Sequence, residues 1–294
     1  MKLSDPTAFL AIKDLSLAAR TIVDGFMTGL NKSSIKGPGL EFSQYRSYQP
    51  GDDLRWLDWK MYGRSDRYYI RESEIETNIS VRFLIDASGS MDHQDGAYKK
   101  IDYARYLAAA LAYLANSQGD ATGLYVFQDG GLFTLASRQD FQHLNRLFYH
   151  LESIKAGGHF TKPVNYKDIY TGSRKKELLI FITDLYQEKT EILDLLDTLS
   201  ALKNEVIDFH LMGRNELDLD FKGFSVLEDL ETGETVKIDA STSRKQYQEN
   251  MALHLSAIRT EMLDRHIHYR MIAMDESPDQ ALRDFLNQRN KVRG

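Results

Sequence analysis

Along the chain, short continuous apolar runs alternate with apolar stripes of helical period. Val81, Phe83, Leu84 and Ile85 make a run that is partly β-branched or aromatic and stops at Asp86, the pattern of a strand covered on both faces. From Tyr98 to Gln118, Ile101, Ala104, Leu107, Ala108, Leu111 and Leu114 recur at spacings of three and four, which predicts a helix with Gly119 at its C-cap. Ala121 to Phe127 reads as a second strand, Leu132 to Leu135 as a short edge strand, and Phe141 to Ile154 as a helix. Strands over Glu177 to Thr183, Val206 to Met212 and Ile267 to Met274 then alternate with helices over Glu188 to Leu202, Ser241 to Arg265 and Asp279 to Asn287. Val226, Leu230, Val236 and Ile238 flank Thr232-Gly233 and predict a β-hairpin over Phe224 to Asp239.

This alternation predicts an α/β fold with a doubly wound, mostly parallel, Rossmann-like sheet carrying an inserted β-hairpin at about residues 216–239. In a sheet of order 3-2-1-4-5-6 the first and fourth strands are neighbours at the switch point, where ligand sites lie beyond the carboxyl ends of strands. Asp86 ends the first of these strands and Asp184 follows the fourth.

Upstream, Asp5-Pro6 starts an expected amphipathic helix reaching Ile22, and Asn31 to Gly39 reads as a loop. Residues 39–76 hold both tryptophans, Trp56 and Trp59, five tyrosines and alternating arginines and acids. Asp52 or Asp53 is placed to cap a short helix through Trp59, and Arg67 to Glu74 reads as a strand. Two readings stay open for this segment: a small subdomain whose aromatics pack and whose charges pair in place, or a partner surface rich in the residues that carry interface energy. The expected division is residues 1–76, an N-terminal helix with an aromatic-rich subdomain, and residues 77–294, the α/β domain.

Composition narrows the function classes. A hydrophobic content of 42% over 294 residues suffices for a sizeable core, and the absence of cysteine excludes a disulfide scaffold. A formal charge of −6 argues against general nucleic-acid binding. No apolar run approaches the roughly 18 residues that span a bilayer, and the N-terminal segment has acids within its apolar pattern, unlike a signal peptide. The expectation is a cytoplasmic protein without membrane insertion.

The candidate chemistry lies in Asp86-Ala87-Ser88-Gly89-Ser90, which spaces one carboxylate and two hydroxyls at alternate positions of a tight loop. Oxygen donors of this kind suit a hard divalent ion, Mg²⁺ first, with Mn²⁺ or Ca²⁺ as alternatives. Asp-x-Ser-x-Ser after an apolar strand resembles the metal-ion-dependent adhesion site of von Willebrand factor A-type domains. That resemblance implies a Thr from a second loop and an Asp from a third, which fall on Thr161 in Gly157-Gly158-His159-Phe160-Thr161 and on Asp184 after Leu178 to Thr183. The implied metal set is therefore Asp86, Ser88, Ser90, Thr161 and Asp184. The loop is two residues longer than the usual Gly-Gly-Thr, and His159 within it reads as solvent-facing.

Gly39-Leu-Glu-Phe42, Arg46-x-Tyr48-Gln-Pro-Gly-Asp-Asp-Leu-Arg55 and Asp58-Trp-Lys60, running into the Asp86 strand, resemble the bacterial domain-of-unknown-function family 58 over residues 39 to about 130. Many relatives carry N-terminal membrane helices, so this chain looks like a soluble branch. The resemblance implies a non-enzymatic, metal-dependent protein-interaction module, an adaptor or chaperone-like partner of a MoxR-class AAA ATPase, binding a partner that offers Asp or Glu to the metal. The alternative is a Mg²⁺-dependent phosphohydrolase using Asp86 as nucleophile. Against it, Ser88 stands where such sites place a second Asp as general acid, and no Walker A string, nucleophile elbow or His-Glu-x-x-His occurs.

Overall fold

The computed structural model describes residues 6–32, 44–48, 59–65, 67–72, 78–128, 131–160, 176–186, 190–201, 204–219 and 224–293. Two compact units separate by contact: Gly29–Thr77, and Met1–Thr28 together with Asn78–Gly294. Residues 1–28 thus cluster with the α/β body, whereas the sequence reading grouped them with the aromatic segment. The physical reason is burial: Leu15, Ala18, Ala19, Ile22, Val23 and Phe26 all lie in the interior. The single N-terminal helix expected from Asp5 to Ile22 is two, α1 (Pro6–Leu10) and α2 (Leu15–Lys32). Asp14 restarts the helix, its Oδ1 accepting from the Leu17 N–H at 2.8 Å, and the Tyr106 hydroxyl donates to the Ile12 carbonyl freed by the break.

In the small unit, β1 (Gln44–Ser47) pairs antiparallel with β2 (Tyr69–Glu72), and α3 (Trp59–Ser65) lies between them in sequence. The described part of this helix is Trp59–Ser65, and the helix expected to run from a cap at Asp52 or Asp53 through Trp59 lies, but for Trp59, outside the described residues. Tyr62 and Tyr68 stack at 4.5 Å with rings 10° apart, and Tyr48 meets Tyr68 edge-on. Trp59 stays 63% exposed.

The large unit is built on β3 (Ser80–Asp86), the short pair β4 (Gln94–Asp95) and β5 (Tyr98–Lys99), α4 (Lys100–Ser117), β6 (Ala121–Gln128), β7 (Gly131–Arg138), α5 (Phe141–Ser153), β8 (Leu178–Thr183), α6 (Glu191–Ala201) and β9 (Glu205–Met212). There follow α7 (Arg214–Asp218), the hairpin of β10 (Phe224–Glu228) and β11 (Thr235–Asp239), α8 (Ala240–Asp264), β12 (His268–Ala273) and α9 (Asp279–Arg293). Six strands form one sheet in the order β12-β9-β8-β3-β6-β7, parallel except for the edge strand β7. Counted in chain order this is 3-2-1-4-5-6, and β3 and β8 are neighbours across the switch.

Strand alternation sends Leu84 and Phe181 to one face, where they join Phe127, Leu195, Leu199 and Met262 in a buried cluster beneath α6 and α8. The small residues of α4, among them Ala104 and Ala108, let it lie close across β3 and β6. At the far end of the sheet, Arg289 of α9 is buried against Asp120, which also accepts from the Ile79 N–H, fixing the entry to β3 and β6.

Candidate metal centre

Parallel pairing sets Ile85 of β3 against Ile182 of β8, so the residues that follow, Asp86 on one strand and Thr183-Asp184 on the other, emerge together at the carboxyl edge. Asp86 is fully buried, and both its oxygens are engaged. Oδ1 accepts from the Ser88 N–H at 2.9 Å, and Oδ2 accepts from the Thr183 hydroxyl at 2.7 Å. The Ser88 and Ser90 hydroxyls stand 3.1 Å apart, and Ser90 donates to Asp184 Oδ1 at 3.0 Å. Four of the five expected site residues, Asp86, Ser88, Ser90 and Asp184, are therefore brought together. Thr161 lies outside the described residues.

The second loop nevertheless docks on the first. Gly89 N–H donates to the Gly158 carbonyl at 2.8 Å, and Gly157 N–H donates to the Ala87 carbonyl at 2.9 Å. Phe160 anchors this loop in the core against Phe127, with ring centroids 5.4 Å apart. After Asp184 the chain turns through a left-handed Leu185, φ 55°, a costly conformation for a non-glycine residue. Side-chain acceptors sustain it: Thr183 Oγ1 takes the Leu185 N–H at 2.9 Å and Asp184 Oδ1 the Tyr186 N–H at 3.2 Å.

Three residues that the sequence reading did not single out complete the surroundings. Lys100, at the start of α4, is buried and donates to Asp184 Oδ2 and to Glu216 Oε1 of α7, each at 2.8 Å. Thr183 holds Asp86. A signal for Lys100 existed: it sits one turn before Ala104 on the apolar face of its helix, and a charge on that face needs a partner.

Electrostatics follow from burial and these contacts. Burial first, and then the negative charge of Asp184, push the Asp86 carboxyl up to about 7, against the Thr183 and Ser88 hydrogen bonds. Asp184 is buried too, but the Lys100 ammonium, through its charge and its hydrogen bond, and the Tyr186 N–H together outweigh burial and hold it below the usual carboxylate range. Burial alone would lower Lys100; Asp184 and Glu216 raise it instead. Beneath the site, on β9, burial and then Asp86 push Asp208 well up, and burial takes His210 down to about 3.

The donor set fits a hard divalent ion. Ligands at about 2.1 Å on neighbouring corners of an octahedron stand about 3.0 Å apart, which the Ser88–Ser90 and Ser90–Asp184 spacings of 3.1 and 3.0 Å match. Lys100 occupies one Asp184 oxygen and leaves the other facing the serines. Among the described residues no three His, Asp or Glu side chains cluster as a metal site, and the oxygens gathered here include two serine hydroxyls.

A hydroxyl-rich loop at the switch point of a 3-2-1-4-5-6 sheet with an antiparallel edge strand defines the class: a von Willebrand A-like domain. The chain belongs to the family described as "Protein of unknown function DUF58", whose model matches residues 44–257. It is 25% identical over 234 residues to the uncharacterized protein Rv1480 of Mycobacterium tuberculosis, covering 79% of this chain and 73% of that one. Among solved structures it overlaps BatB from Bacteroides thetaiotaomicron at TM-score 0.46 and 16% identity, over 73% of this chain and 98% of that one. It overlaps the SpRpn10 VWA domain at TM-score 0.36 and 12% identity, over 72% of this chain and 95% of that one. Strand order and register, not these overlaps, define the fold. Among the described residues no helix is long and apolar enough to cross a membrane.

Proposed function

We propose that the chain is a non-enzymatic, Mg²⁺-dependent protein-binding module in which Asp86, Ser88, Ser90 and Asp184, with Thr161 from the second loop, hold the ion. One observation carries this reading: the run of oxygens from Ser88 through Ser90 to Asp184, at 3.1 and 3.0 Å, over the buried Asp86. Two carboxylates and neutral hydroxyls leave a divalent ion able to attract one more anionic oxygen. When bound, the ion would supply a Lewis-acidic contact for an Asp or Glu of a partner protein. The chain's own part is to hold the serines in register, through the Asp86–Ser88 and Gly89–Gly158 bonds, and to orient Asp184 through Lys100.

Family resemblance supports a MoxR-class AAA ATPase as that partner. Hydrolysis by Asp86 finds less support, because Ser88 stands two residues on, where such a site needs a second Asp as general acid. The test is co-purification of the host's MoxR-class ATPase with the full chain in Mg²⁺ and in chelator. Capture that depends on Mg²⁺ and is lost in Asp86→Ala is expected; capture indifferent to both contradicts the reading, as does phosphate-ester turnover abolished by Asp86→Ala.

A further inference from the structure

The tip of the β10–β11 hairpin lies directly on the first metal loop. A Cβ added to Gly89 would stand 2.6 Å from the Leu230 carbonyl oxygen, so hairpin backbone and loop backbone meet at a distance that only glycine allows. The turn is shaped by Asp229, whose Oδ1 takes the Glu231 and Thr232 N–H groups at 2.8 and 3.0 Å. Asp229 Oδ2 accepts from the Tyr186 hydroxyl, two residues after Asp184, tying the tip to the third loop. Glu231 is thereby turned inward. Its side chain is 5% exposed, its Oε1 is buried with no hydrogen-bond partner among the described residues, and its Oε2 stands 3.6 Å from His159 of the second loop.

The Glu231 carboxyl faces the Ser88 and Ser90 hydroxyls. A buried carboxyl whose Oε1 has no close hydrogen-bond partner among the described residues, with the Ser88 and Ser90 hydroxyls turned toward it, is stabilised by a cation placed between them. Val226, Leu230 and Val236 are 60%, 47% and 59% exposed, while Leu227 and Ile238 are half-buried, so the hairpin is held both at its tip and along part of its length.

We propose that Glu231 closes onto the Ser88–Ser90–Asp184 site as an internal acidic ligand when the ion binds, Asp86, Asp184 and Glu231 not standing together as a metal site before it does: the hairpin offers the metal in cis the carboxylate that a partner would offer in trans. A partner acid then binds by displacing the hairpin tip. This rests on the metal-site reading above, and the experiment separates the two.

Mg²⁺ is titrated calorimetrically into the full chain, Glu231→Ala and Asp86→Ala, and backbone hydrogen exchange over residues 224–239 is followed with and without Mg²⁺. The expected result is Mg²⁺ binding by wild type, binding weakened at least about tenfold in Glu231→Ala, and slower exchange across the hairpin on adding Mg²⁺ to wild type but not to Glu231→Ala. A Glu231 that merely contributes charge from a fixed hairpin would weaken binding without the change in exchange, and that outcome overturns the proposal. Equal affinity in wild type and Glu231→Ala also overturns it while leaving the metal site standing. Absence of binding to wild type, or wild-type affinity in Asp86→Ala, fails the metal-site reading and this inference with it.

Discussion

Lys100 Nζ lies 2.8 Å from Asp184 Oδ2, and both side chains are almost wholly buried, so the third-loop carboxylate meets the site already half neutralised by the protein itself. The same ammonium reaches Glu216 at 2.8 Å. Lys100→Met leaves two carboxylates facing an apolar side chain, and losing one partner of such a buried pair costs about 3–5 kcal/mol. Denaturant melts in chelator are expected to show that loss, with part of it recovered in millimolar Mg²⁺ as one cation substitutes for another. An unchanged midpoint would mean that the Lys100 contacts carry no net stability.

Gly89→Ala tests the hairpin contact sterically. The backbone at Gly89 accepts an alanine without strain of its own, yet the new methyl meets the Leu230 oxygen at 2.6 Å and the Gly158 oxygen at 3.0 Å. Stability is expected to fall by about 1–3 kcal/mol, and proteolytic cleavage within residues 224–239 to accelerate as the tip is pushed away. Wild-type resistance to protease would show that the tip does not rest there.

The Asp86 carboxyl makes the metal-free fold sensitive to pH. Its folded-state pKa of about 7 stands above the unfolded 3.8, so between these values the folded state holds a proton that the unfolded chain has released. Stability from this group therefore falls as pH rises through that window. Asp86→Asn removes the effect. In chelator the stability difference between Asp86→Asn and wild type is expected to grow from pH 4 towards pH 7 and then level off, favouring the variant by on the order of 1–4 kcal/mol. Paired urea melts across that range measure it, and a flat difference would show that Asp86 is not raised.

Much of this arrangement was legible in the sequence. The runs at Val81–Ile85 and Leu178–Ile182 could only be strands buried on both faces, and the helices between them forced the parallel order that puts Asp86 beside Asp184. Thr232-Gly233 marked the hairpin. Its destination could not be read, because a turn of Glu228, Asp229, Glu231 and Glu234 has the composition of a solvated tip, and only the tertiary contact with Gly89 turns Glu231 inward. Lys100 and Glu216 were hidden for a related reason: they are 116 residues apart, and charge pairing at that separation leaves no local pattern. The helix break at Asp14 was visible in principle as an N-cap ahead of Leu15, but the apolar stripe continues across it.

The most direct test of the metal-dependent reading is a thermal melt of wild type and Asp86→Ala across a Mg²⁺ titration. A ligand that binds only the folded state adds RT ln(1 + [L]/Kd), roughly 1.4 kcal/mol at ten times Kd. Wild type should gain this progressively, Ser88→Ala and Ser90→Ala should gain part of it, and Asp86→Ala should gain almost none. A wild type indifferent to Mg²⁺, or an Asp86→Ala that shifts with the metal as wild type does, would contradict the account.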